Sequence, residues 1–92
     1  MIQSFGCRAT QRLFAGQSEP RWANIRHVAE RKLQMLHRAA TLDDLRIPPN
    51  NRLEALKGGR KGQHSIRIND QWRLCFVWRD GHAWLAEIVD YH

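Results

Sequence analysis

The chain has 92 residues, of which 42 % are hydrophobic and four are Trp, enough to close one packed core and too few to close two. Fifteen Lys and Arg against nine Asp and Glu leave a formal charge of +6, so intrinsic disorder is excluded by the apolar content and polyanions, nucleic acid first, are the favoured partners. No stretch reaches bilayer-spanning length and the opening MIQSFGCRATQRLFAG lacks the apolar region of a secretory signal; the protein is expected in the cytosol, where Cys7 and Cys75 stay thiols and act as structural filler.

In chain order, residues 2–5 read as a short strand and residues 10–15 as one or two helical turns ending at Gly16. From Glu19 onward Pro20 suits a first helical turn, and Trp22, Ile25, Val28, Ala29, Leu33, Leu36 and Ala40 recur at helical spacing. That is an amphipathic helix with a solvated, basic outer face. Pro48 and Pro49, followed by Asn50 and Asn51, cannot continue it, because the proline ring removes amide donors and disfavours helical geometry in the residue before it. The glycines of GGRKG then predict a mobile basic loop around Lys57, Arg60 and Lys61.

Beyond the loop the period changes to two. Residues 64–68, 72–79 and 83–91 alternate as half-buried strands joined by turns at Asn69-Asp70 and Asp80-Gly81, which makes an antiparallel meander. Three-residue loops put Ile68 opposite Trp72 and Ile66 opposite Leu74, and set Leu74, Phe76 and Trp78 against Ile88, Ala86 and Trp84. One sheet face is then apolar throughout. The other carries Arg67 beside Arg73, with Glu87 and Tyr91 on the same side if no bulge intervenes. The predicted architecture is α+β: one domain over residues 1–92, an N-terminal strand joined to a three-stranded meander, and two helices packed on one face.

Chemistry is sought on the polar face. Two guanidinium groups facing each other on exposed strands repel, so Arg67 and Arg73 fit either a site awaiting an anion such as phosphate or ordinary solvated strand charges. Lys57, Arg60 and Lys61 extend the same patch or are merely soluble surface. The chain end, Asp90-Tyr91-His92, sets a carboxylate, a phenol and an imidazole in succession, and His is the side chain whose ordinary pKa suits proton transfer near neutrality; a terminal His is equally open to fraying. His27, His37, His64 and His82 form no pair at i, i+4 and accompany no Cys cluster, so no metal and no cofactor are expected. Trp72, Trp78 and Trp84 share the apolar face and are assigned to the core rather than to base stacking.

The run LEALKGGRKGQHSIRINDQWRLCFVW and the ending EIVDYH resemble the HigB family within the wider RelE-like toxin superfamily, most densely over residues 53–92, where LKG, SIRIN, QWR and DYH occur in the expected order. The resemblance implies the RelE-like fold, a small antiparallel sheet with helices on one face. It implies a metal-independent endoribonuclease that enters the A site of the 70S ribosome, cuts the mRNA there and stops translation. Its partner would be a helix-turn-helix, HigA-type antitoxin encoded alongside, with promoter DNA bound only through the complex of the two and no membrane involved.

By the same resemblance, Lys57 and Arg73 match positions that contact the scissile phosphate, and Asp90, Tyr91 and His92 match the catalytic tripeptide. Arg60, Lys61 and Arg67 would bind RNA. Glu54 stands where some members carry a His, as a substitute base or a spectator, and His64 stands where many carry an aromatic residue. Two other readings fit a basic chain of this fold: a ParE-like gyrase inhibitor and a non-catalytic RNA-binding or regulatory module.

Overall fold

Helices and sheet order themselves as the periodicity predicts, with differences in the N-terminal segment, the long helix, the strand ahead of the basic loop and the second hairpin. The computed structural model describes residues 1–91; His92 lies outside the described residues. Helix α1 spans Arg8–Phe14 and α2 spans Arg26–Arg38, and four strands follow: β1 Glu54–Ala55, β2 His64–Arg67, β3 Trp72–Arg79 and β4 His82–Asp90. They form one antiparallel sheet in the order β1-β2-β3-β4. Among the described residues no helix is long and apolar enough to cross a membrane.

The long predicted helix is divided. Pro20 opens a 3-10 turn, Pro20–Trp22, and α2 starts only at Arg26, so Trp22 and Ile25 are buried ahead of the helix that Ala29, Leu33 and Leu36 anchor. Ala39 is buried and Ala40 exposed, which ends the apolar stripe one residue earlier than the spacing suggests. The apolar side of the sheet supplies Ile66, Ile68, Leu74, Phe76 and Ile88, and these share one core with Leu13, Leu33, Leu36 and Leu45. Burial of a side chain of this size contributes roughly 1.5–3 kcal/mol, so the core is the main source of stability.

The N-terminal segment does not join as an antiparallel strand. It touches the outer edge of β4 through two isolated parallel bridges, Ile2 to Ala83 and Phe5 to Ala86, while the sheet's fourth strand is β1, two residues that the alternation did not announce. Thr10 completes the edge, its hydroxyl accepting the Ile88 N–H at 3.0 Å.

The register of the meander is as predicted near the chain end and shifted near the second turn. Ile66 faces Leu74 and Leu74 faces Ile88, but Phe76 meets two residues, Leu85 and Ala86, and past that bulge Val77 pairs with Trp84 and Trp78 with Ala83. Leu85 absorbs the extra residue at φ 55°, and the second loop needs only Asp80 and Gly81, both at positive φ, as a tight hairpin turn requires. Trp84 therefore leaves the predicted core, and its ring lies 4.7 Å from the Arg79 guanidinium carbon instead; Trp72 and Trp78 do pack against the core. The bulge also receives the N-terminal segment: Leu85 N–H donates to Ser4 Oγ, and a Cβ on Gly6 would meet the Leu85 carbonyl at 3.0 Å.

Candidate active-site cleft

The bulge falls beyond Cys75, so the polar face keeps the predicted register where it matters. Strand pairing aligns Glu54, Ser65, Cys75 and Glu87 in one row across all four strands, with Arg67, Arg73 and Val89 in the next. A cleft of about 580 Å³ opens over this face, its walls including Glu54, Lys57, Arg60, Cys75, Asp90 and Tyr91.

Arg73 and Arg67 do face each other, but neither is fully exposed: Arg67 is half-buried and Arg73 is buried. Arg73 is only 6 % exposed. It leans diagonally toward β2: Nε donates to Ser65 Oγ at 2.8 Å, and Nη2 donates to the Arg52 carbonyl at 2.7 Å and to the Ser65 carbonyl at 3.4 Å. Nη2 also lies 3.5 Å from Glu54 Oε1, and the Tyr91 ring covers the guanidinium carbon at 5.2 Å. A buried cation is tolerated because Nε and Nη2 are hydrogen-bonded and a carboxylate is near. Arg67 turns the other way and pairs with Asp70, whose exposed carboxyl the guanidinium holds below the ordinary range. The repulsion foreseen between the two arginines is thus relieved by divergent partners.

The Arg52 carbonyl reaches Arg73 because the preceding turn is pinned from inside. Asn51 is fully buried, its amide donating to the Leu45 carbonyl at 3.1 Å, and Lys32 of α2 donates to its Oδ1. Burial, with Arg31 and Arg67 nearby, pushes the Lys32 ammonium below its ordinary pKa. Arg52 itself adopts a left-handed conformation, φ 47° and ψ 54°, which turns the chain out of Pro49–Asn51 toward β1.

The basic loop holds a 3-10 turn, Gly58–Arg60, closed at its base where Leu56 N–H donates to the Gln63 carbonyl at 2.9 Å. Arg60 reaches across to Glu87 at 3.2 Å and to Gln63 at 3.1 Å. Lys57 and Lys61 are exposed and, among the described residues, have no ion-pair partner. Burial pushes the Cys75 thiol up from its ordinary pKa, while Arg60 and Arg73 pull it the other way.

Of the sequence-derived site residues, then, Arg73 touches both Glu54 and Tyr91, and Lys57 and Arg60 stand on the cleft wall beside them. Asp90 pairs with Trp72 in the strand register, and Gln71 Nε2 donates to its carboxylate at 3.2 Å. His92, expected to transfer a proton, lies outside the described residues. Reasoning from the sequence missed Ser65 and Gln71. The SIRIN and QWR segments contain them, but a neutral side chain on a strand carries no signal of its own. Gln71 also ties down the chain end, since its carbonyl accepts the Tyr91 N–H at 2.6 Å. His64, unassigned from the sequence, stacks on Phe76 with ring centroids 6.3 Å apart, as an aromatic residue would.

Comparison with known proteins follows the same lines. A family model described as the RelE-like toxin of the type II toxin–antitoxin system HigB matches residues 9–92. Toxin HigB-1 of Vibrio cholerae serotype O1 is 51 % identical over 70 residues, covering 76 % of this chain and 73 % of that protein. The endoribonuclease HigB of Proteus vulgaris is 39 % identical over 41 residues, 45 % of each chain. Among solved structures, a YafQ mutant from E. coli superposes with a TM-score of 0.65 at 13 % identity, covering 98 % of this chain and 91 % of that one, a likeness of fold.

Proposed function

This chain belongs to the HigB-like family of RelE-like toxins of type II toxin–antitoxin systems, and from that premise we propose that it is a ribosome-dependent mRNA endoribonuclease. The observation that carries the reading is the setting of Arg73: a buried guanidinium in contact with Glu54 and Tyr91, both walls of a cleft that Lys57 also lines.

The proposed reaction uses the RNA's own 2′-hydroxyl. A base takes its proton, the oxygen attacks the adjacent phosphorus, and the bond to the 5′-oxygen breaks as an acid protonates that leaving group, giving a 2′,3′-cyclic phosphate and a 5′-hydroxyl. Negative charge builds on the phosphoryl oxygens, where Arg73 and Lys57 stabilise it without a metal; one well-placed donor is worth about 3 kcal/mol in such a site. His92 transfers the proton to the leaving group. Asp90 orients that imidazole. Tyr91, about half exposed, offers its outer ring face to a base, as single-strand readers do. The 2′-hydroxyl proton goes to Glu54, Lys57 or His92. Arg60, Lys61 and Arg67 would track the RNA backbone, Lys61 most freely, because Arg60 and Arg67 already have carboxylate partners.

As a type II toxin the protein would be held inactive by an antitoxin, of the HigA helix-turn-helix type, and would meet its promoter only through that complex. Primer extension on a translated mRNA tests the central claim. Cuts within codons that need both ribosomes and the toxin are expected; uncut mRNA, with gyrase poisoned instead, would move the chain to the ParE-like reading, and binding without cleavage to a regulatory one.

A further inference from the structure

We propose that Ser65 is a positioning residue of the cleavage site, and that its hydroxyl decides which edge of the Arg73 guanidinium faces the scissile phosphate. The inference rests on the nuclease reading above and deepens it. A guanidinium presents its donors along edges, and the edge made by Nε and Nη2 is the one most suited to grip an anion with two parallel bonds. Here that edge is occupied by the protein: Nε by Ser65 Oγ, Nη2 by the Arg52 carbonyl and, at longer range, the Ser65 carbonyl. Among the described residues Nη1 has no hydrogen-bond partner. The group is thereby turned so that Nη1 is left for the phosphate.

Ser65 is fitted to this task by its place in the sheet. It is fully buried, directly opposite Cys75 and Glu54, on the side of β2 that faces the cleft, one diagonal step from Arg73. Among the described residues its hydroxyl is the only side-chain acceptor of the Nε proton. The other polar contacts, to the Arg52 and Ser65 carbonyls and the Glu54 carboxylate, all converge on Nη2, and the Tyr91 ring only covers the guanidinium, so the direction of Nε–H is left to the hydroxyl. Without the hydroxyl the side chain reorients to satisfy Nε elsewhere, and a displacement of about an ångström at a reacting group costs on the order of 100-fold in rate.

The test measures single-turnover cleavage of mRNA on programmed ribosomes, with thermal melting as the check on folding. Ser65→Ala is expected to lower the maximal rate about 10- to 100-fold with the apparent affinity for the ribosome nearly unchanged. In an Arg73→Lys background, where the ammonium has no plane to orient, the same Ser65→Ala change should cost little more. The Arg73 Nε–H, buried and hydrogen-bonded in the wild type, is expected to exchange slowly there and fast in Ser65→Ala, a readout independent of activity. Wild-type cleavage by Ser65→Ala, an equal loss in both backgrounds, or an unchanged Nε–H resonance would overturn the positioning role while leaving the nuclease standing. Full activity of Arg73→Ala would remove Arg73, and Ser65 with it, from the mechanism, whereas no cleavage by the wild type would overturn the nuclease reading itself.

Discussion

Arg73 and Leu74 are neighbours on β3, both buried, and they are held in opposite ways. Leu74 points into the core, facing Ile66 and Ile88 on the flanking strands, and its hold is the sum of many weak, non-directional contacts. Arg73 points to the cleft and is held by three hydrogen bonds, one ion pair and one ring. Each of those contacts has a direction, so losing one changes where the cation sits rather than whether the chain folds. The apolar face of the sheet determines that there is a fold; the polar face determines where one charge is placed.

Substitutions at these neighbours should separate the two roles. The largest effect expected is on stability: Leu74→Ala should lower the unfolding free energy by about 2–5 kcal/mol, read by denaturant titration, with the rate per folded molecule near wild type. A stable Leu74→Ala protein that cannot cleave would break the division of labour between the faces. Arg73→Ala should cost roughly 100- to 1000-fold in cleavage. It should also cost about 1–3 kcal/mol of stability, because Ser65 and the Arg52 carbonyl lose a buried partner. Undiminished toxicity of folded Arg73→Ala in growing cells would remove Arg73 from the mechanism. Deleting His92 should reduce cleavage about 100-fold, the usual scale for losing a general acid or base, with melting unchanged. A 91-residue chain that cuts as well as the full one would transfer the acid's role to another group.

How far each face can be read from the sequence follows from the same difference. The apolar face repeats, so Ile66, Leu74 and Ile88 declare their register through alternation, and Ala29, Leu33 and Leu36 declare a helix through spacing. Alternation counts residues, and the bulge adds one without any glycine to mark it; Leu85 at positive φ looks like any other apolar strand residue, which is why Trp84 was expected in the core. The two residues of β1 are too few to show a period. On the polar face the sequence supplies charges but not their partners. Arginine on a strand reads as exposed, and the burial of Arg73 depends on Ser65 and on the Arg52 carbonyl, one of them neutral and the other main chain. The buried Lys32–Asn51 contact that holds the Arg52 turn is equally silent, since it joins residues 19 apart in different elements.

Lys57 offers the mildest test and bears on the cleft's outer wall. It is exposed, it precedes the Gly58–Arg60 turn, and it lines the same cleft as Glu54 and Tyr91 without the bonds that fix Arg73. A flexible ammonium of this kind contributes charge with little geometric demand, so Lys57→Ala should slow cleavage less than Arg73→Ala does. Its distinctive mark should be in the salt dependence. Each phosphate neutralised on a single strand releases counterions, and removing one such contact should flatten the plot of log affinity against log salt by about 0.7. The measurement is toxin binding to programmed ribosomes over a range of salt, with Lys61→Ala beside it. A shallower slope for Lys57→Ala alone would place the phosphate at the cleft wall; equal changes for both lysines would mean that the loop attracts RNA as a diffuse patch. An unchanged slope would return Lys57 to the solvated surface and leave Arg73 as the cation that meets the RNA.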